Sequence, residues 1–277
     1  MGGRCVNLIP TFSMLLIGDF EQPEFRAASE LLVGRAPLRR ALRPEQALAE
    51  CRAADEFPDL IVLAQSRPGE FDLAALHGLR RWAPLARVIA ILGSWCAGET
   101  RSGTPLAGVV RLYWHEAPAY LARELERQRS GKSPAWGLPV TATEFDSVAP
   151  ADFEPDTHAA RTIAIHSASS ELANWLDRAC RAWGYAAIWF QPGSTPALEN
   201  TAAVILDAWR LDDAELADMH AWASVPRMVL LDFPHWEDRQ RAIQAGARVV
   251  LAKPLRLDDL RWHFDRLCES AAEVIPR

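Results

Sequence analysis

The sequence predicts an α/β protein of two domains, each a five-stranded parallel sheet with helices on both faces. Three observations carry this. Short β-branched apolar runs alternate with longer amphipathic stretches, the pattern of strands joined by crossover helices. The runs are continuously apolar rather than alternating, as expected where both faces of a sheet are covered. The pattern also occurs twice, five runs in each half, in a chain of 277 residues, a length that suits two domains.

In the first half the strand candidates are MLLI (14–17), PLRRAL (37–42), DLIVLA (59–64), RVIAIL (87–92) and VVRLYW (109–114). In the second half they are TIAI (162–165), AAIWF (186–190), AAVILD (202–207), RMVLLD (227–232) and RVVLAK (248–253). Helix candidates lie between them. Ser169 and Ser170 precede a run in which Leu172, Trp175, Leu176, Ala179 and Trp183 recur at helical spacing, and Gly184 closes it. Residues 235–247 and 255–270 read the same way. One segment breaks the repeat: 93–108 is rich in Gly, Ser, Thr and Pro, and predicts a loop or a broken helix. Residues 130–159 lack periodicity and read as an acidic Pro/Ala-rich linker, docked in part through Trp136, Phe145 or Phe153. The expected domains are therefore 13–129 and 160–275.

Charge narrows the function. Net charge is −6. It is +1 over residues 1–130 (16 basic, 15 acidic), −4 over 131–160 (one against five) and −3 over 161–277 (13 against 16). Neither half has the basic excess that neutralising several phosphates needs, so nucleic acid is not the expected partner. Arg35, Arg39, Arg40 and Arg43 form a local basic cluster that reads first as a solvated face. The five cysteines are scattered, without CxxC or Cys/His spacing, which predicts neither zinc nor a disulfide framework. A reduced cytoplasm fits, with no membrane association. No GxGxxG, GxxxxGK[ST] or GxSxG occurs, so an enzyme is not expected.

Two units in this order resemble the receiver domain of bacterial response regulators, a doubly wound flavodoxin-like fold. VPRMVLLDFPHWEDRQRAIQAGARVVLAKPL (225–255) is similar to that family's closing segment, with a helix ending in Ala-Gly-Ala and a strand ending in Lys-Pro. RPEQALAECRAADEFPDLIVL (43–63) is similar to its second helix and third strand, with Pro68-Gly69 following. The resemblance implies an acidic pair for Mg²⁺ after the first strand, a phosphoacceptor aspartate ending the third, a hydroxyl ending the fourth and a lysine ending the fifth.

In the first unit these positions fall on Gly18 and Asp19, Ala64, Leu92 and Trp114. Four of the five groups are missing, so this unit is expected to be a degenerate pseudo-receiver. In the second they fall on His166 and Ser167, Asp207, Leu231 and Lys253, with Asp232 beside the fourth-strand position. One carboxylate without an acidic pair predicts weak or absent Mg²⁺ binding and no other cofactor. Asp207 with Lys253 then has a bland reading, a structural ion pair shared with Asp232, and a functional one, a phosphorylation or ligand switch.

His166 is expected beside this cluster, where a carboxylate contact could make it titrate. Trp209 is expected to close over the site. Trp236 and Trp262, on the last two helices, are the candidate partner surface. The expected function is non-catalytic two-component-type signalling through contacts with another protein or a second copy of the chain. Two alternatives stay open: Asp207 as a true phosphoacceptor in a phosphorelay, and a small-molecule sensor using the strand-end crevice. Only two of the 30 basic residues are lysines, Lys132 and Lys253. One of them falls where a receiver needs an ammonium.

Overall fold

The protein is described here by a computed structural model covering residues 12–99, 103–138, 162–194 and 200–272. The chain divides into two compact units, Met1–Ala142 and Thr143–Arg277. The first runs β1 (Met14–Ile17), α1 (Pro23–Leu32), β2 (Leu38–Ala41), α2 (Pro44–Ala54), β3 (Leu60–Gln65), α3 (Leu73–Trp82), β4 (Arg87–Leu92), β5 (Val110–Tyr113) and α4 (Ala117–Arg129). The second runs β6 (Thr162–His166), α5 (Ser170–Ala182), β7 (Ala186–Phe190), β8 (Thr201–Ala208), α6 (Asp213–Ala221), β9 (Arg227–Asp232), α7 (Trp236–Gln244), β10 (Val249–Lys253) and α8 (Leu257–Ala272).

Each unit holds one five-stranded sheet, ordered β2-β1-β3-β4-β5 and β7-β6-β8-β9-β10. Every strand pair is parallel. This is the doubly wound order 2-1-3-4-5, in which the chain reverses direction across the sheet between its first and third strands. The central strands are apolar because they are buried on both faces: Leu60–Leu63 are at most 1% exposed, and so are Ala203–Leu206. Each observed strand lies within one residue of its expected span.

Helix boundaries follow local chemistry. Pro23 and Pro44 stand in the first turns of α1 and α2, where a missing N–H costs nothing. Asp72 caps α3 by accepting from the Ala74 and Ala75 amides, and Ser169 caps α5 by accepting from the Leu172 amide. Asp212 and Glu215 form a reciprocal capping box on α6.

The segment that breaks the repeat opens with a 3₁₀ turn, Ser94–Cys96. The beginning of the expected linker is packed. A second 3₁₀ turn, Ala135–Gly137, buries Trp136 against Tyr120 at 6.3 Å between ring centroids. The Ala135 amide donates to buried Glu124, and Arg87 donates to the Gly137 carbonyl at 2.9 Å. Phe145 and Phe153 lie outside the described residues.

Sheet edges differ between the units. In β2 the outer residues Arg39 and Arg40 are exposed. In β7, Ile188 is 54% and Trp189 38% exposed, and no residue of the strand is charged.

Candidate functional site

The carboxyl ends of β6, β8, β9 and β10 bring four sequence-predicted residues of the second unit together. Asp207 stands near the end of β8, in register with Leu230 of β9. Lys253 ends β10 in register with Asp232, so its side chain must pass β9 to reach β8. It does: Nζ donates to Asp207 Oδ1 and lies 3.2 Å from Asp232 Oδ2. A four-carbon stem carrying a compact cation suits that reach better than a planar guanidinium fork. The second oxygen of Asp207 is also engaged. Ser167 Oγ donates to Oδ2 at 2.5 Å, and Ser167 Oγ in turn accepts from the Ser169 amide at 3.0 Å. The Asp207 side chain is 8% exposed, Lys253 16% and Asp232 36%.

His166, the last residue of β6, is fully buried. Its ring lies 5.2 Å from Phe190 and 5.1 Å from Trp222, and neither ring nitrogen has a hydrogen-bond partner. Nε2 is 3.5 Å from Asp218 Oδ2, a carboxylate on α6 that sequence reasoning did not single out. Burial lowers the His166 pKa, opposed by the charges of Asp218 and then Asp207.

These residues do not fit Mg²⁺. That ion asks for hard oxygen ligands in a strict octahedron. Here an imidazole and a hydroxyl stand beside Asp207, and both Asp207 oxygens are already engaged. Among the described residues, no group of three His, Cys, Asp or Glu is placed to hold a metal.

The matching ends of the first unit are apolar. Ala64 is 1% exposed, Leu92 1% and Trp114 3%. Gly18 has φ +114°, and a Cβ there would come 2.5 Å from the Ala64 carbonyl oxygen. Glycine answers both the conformation and the close approach. Asp19 is exposed and turned to its own loop, accepting from the Glu21 amide at 3.1 Å and from Gln22 Nε2 at 3.3 Å.

The ladders refine the placement of the pair. Ile17 is level with Leu63, whereas His166 is level with Leu206. Measured from Ala64 and Asp207, the counterpart of Ser167 is Gly18 rather than Asp19. The extra residue of β6 is Thr162, which lies before the register shift, so Ile163–His166 match Met14–Ile17.

Trp209 does not close the site. It is 74% exposed, while Lys253 and Ser167 engage both oxygens of the Asp207 carboxylate. Trp236 and Trp262 are both half-buried, and Trp262 is overlaid by the Arg266 guanidinium at 4.5 Å.

The first unit holds a polar cluster that sequence reasoning missed. Gln65 Nε2 donates to Glu99 Oε1 at 2.9 Å, and Arg111 pairs with Glu99 Oε2 at 2.6 Å. A cleft of about 290 Å³ opens beside it, lined by Gln65, Glu70, Phe71, Glu99, Thr104 and Leu106 among others. Its signal was present: a glutamine ends the apolar run LIVLAQ, and an arginine interrupts VVRLYW.

Fold and site thus define a class: paired doubly wound α/β units with a charge cluster at the strand ends of one. No family model and no curated protein matches this chain. Solved structures similar to it include response-regulator receivers. A CheY-like receiver domain protein from Methanospirillum hungatei JF-1 is 11% identical over 42% of this chain and 98% of its own, with TM-score 0.35. A response regulator from Thermotoga maritima is 17% identical over 39% and 98%, with TM-score 0.34. The E. coli RcsC C-terminus, containing a linker region and a phosphoreceiver domain, is 15% identical over 99% and 98%, with TM-score 0.33. The fold assignment itself rests on strand order and register.

Proposed function

We propose that this is a non-catalytic signalling protein of the two-component type, acting through protein contacts made by two pseudo-receiver units. The observation that carries the reading is the closure of Asp207. Lys253 holds one carboxylate oxygen and Ser167 the other, so the group acts as a structural ion pair rather than a nucleophile. A carboxylate attacking an anionic phosphoryl donor needs a cation to screen the two charges. In this site the one ammonium is shared with Asp232. The first unit offers no carboxylate at Ala64. No helix among the described residues is long and apolar enough to cross a membrane; a cytoplasmic location is part of the proposal.

Acetyl phosphate with Mg²⁺ tests it. Intact mass spectrometry is expected to find no added phosphoryl group on the full chain. A stoichiometric adduct that disappears in Asp207→Asn would sink the reading and establish a phosphorelay acceptor instead. The cleft beside Gln65 and Glu99 favours one second reading, a small-molecule sensor in the first unit. A low-molecular-weight compound that co-purifies with the native chain and is lost in Glu99→Gln would support it.

A further inference from the structure

Two aromatic side chains of the second unit face solvent at neighbouring strand ends. Trp209 follows the last residue of β8, Phe233 follows the last residue of β9, and each is 74% exposed. Ala208 is level with Leu231, so Trp209 comes level with Asp232 and Phe233 stands one residue beyond it, at the end of the neighbouring strand. Phe233 also has φ +38°. That conformation is strained for a bulky residue, and such strain persists where the surrounding structure imposes it, often at binding sites. The fold therefore holds out, at a cost, a ring that burial would favour.

The surroundings are acidic. Outside the Asp207–Asp232–Lys253 cluster, residues 209–218 and 233–241 carry six carboxylates against three arginines, Arg210, Arg239 and Arg241. Asp212, Asp213 and Glu237 are exposed. The chain's own acidic segment makes a poor occupant. Residues 139–161 carry five carboxylates and a single basic residue, Arg161, and like charges would oppose docking. Nucleic acid is opposed by the same sign of charge.

We infer that Trp209 and Phe233 form a docking ridge for a basic protein segment with an apolar anchor. The anchor packs against the rings, and flanking Lys or Arg side chains meet Asp212, Asp213 and Glu237. This rests on the reading of the protein as one that acts through protein contacts, and moves the contact from Trp236 and Trp262 to the strand ends. Exposed aromatics that become buried on binding are the usual hot spots of an interface.

The probe is a display library of random peptides selected on the full-length chain, with counter-selection on the double variant Trp209→Ala, Phe233→Ala. Both side chains lie largely in solvent, so the variant is expected to keep the wild-type circular dichroism spectrum. Selected peptides are expected to combine Lys or Arg with Leu, Phe or Trp, and to weaken about tenfold or more on the double variant. Binding is expected to fall with added salt, and less so in Asp212→Asn, Asp213→Asn, Glu237→Gln. The inference is overturned by acidic or uncharged selected peptides, by equal binding to the double variant, or by no enrichment. It is also overturned by a wild-type dimer in sedimentation that the double variant dissolves, which would make a second copy the occupant. A partner captured equally by both forms would remove this ridge and leave the wider reading standing; a phosphoryl adduct on Asp207 would remove the wider reading.

Discussion

The two units build the same junction between their first and third strands from opposite materials. In the second, Ser167 and Lys253 close on a buried carboxylate, Asp207. In the first, Gly18 lies against the backbone of Ala64, with Leu92 and Trp114 completing an apolar end. One unit holds a buried ion pair at this junction; at the same positions the other has only apolar side chains and relies on close packing. The lesson is that one strand order can close its carboxyl ends in two ways. The ends can be apolar and in close contact, or charged and tied to one another.

Removing one partner of the ion pair should have the largest effect. Lys253→Met leaves Asp207 buried and unpaired, and is expected to cost the second unit about 3 kcal/mol or more. Hydrogen exchange of the β8 and β10 amides in the full chain would report it. Adding Asp207→Leu should recover most of the loss, because an apolar pair is the solution the first unit already uses. Equal losses in the single and double variants would show that the pair carries no special weight.

The converse exchange, Gly18→Ser, imports the second unit's hydroxyl into the first. The new Cβ meets the Ala64 oxygen at a φ that side chains rarely adopt. A loss of about 2–3 kcal/mol is expected in the exchange of β1 and β3 amides. Ser167→Ala, which removes one hydrogen bond, should cost the second unit only about 1 kcal/mol. If Gly18→Ser proves as mild as Ser167→Ala, the close approach is not what holds the first junction.

Acid should act more gently, and on both units. Burial pushes His115, which stacks on Tyr113 at 5.7 Å, down to about 4. His166 is also lowered. The ordinary histidine value is about 6.5, so below it the unfolded chain takes up protons that the folded chain refuses. Stability is therefore full above about pH 6.5 and declines as pH falls toward 4. His115→Phe keeps the stacking and should flatten the part of this slope read by β5 amides. An unchanged slope would assign the acid sensitivity elsewhere.

Much of this architecture was legible in the sequence, for a simple reason. Strands buried on both faces must be apolar throughout, and runs such as LIVLA and AVIL announce themselves. The meeting of Asp207, Lys253 and Asp232 was also legible, since each stands at or next to the end of such a run and the strand order brings those ends together. The equivalence of Gly18 with Ser167 was not, because MLLI and TIAI align by composition, whereas the ladders match Met14–Ile17 with Ile163–His166. The exposure of Trp209 was equally hidden, because a tryptophan just after a strand can be buried or exposed without any change in the sequence pattern. The Gln65–Glu99–Arg111 cluster needed the path of the 93–108 segment, which has no periodicity to read.

The border strand β7 has a practical consequence for the purified protein. Five uncharged residues, Ala186–Phe190, form one rim of the second sheet, with Ile188 and Trp189 facing outward. Main-chain groups on such a rim invite another strand to add itself, and the first unit guards its corresponding rim with Arg39 and Arg40. A net charge of −6 repels molecules at long range but does nothing at this contact. At high salt, where that repulsion is screened, this short strip is one place where copies of the chain are expected to associate.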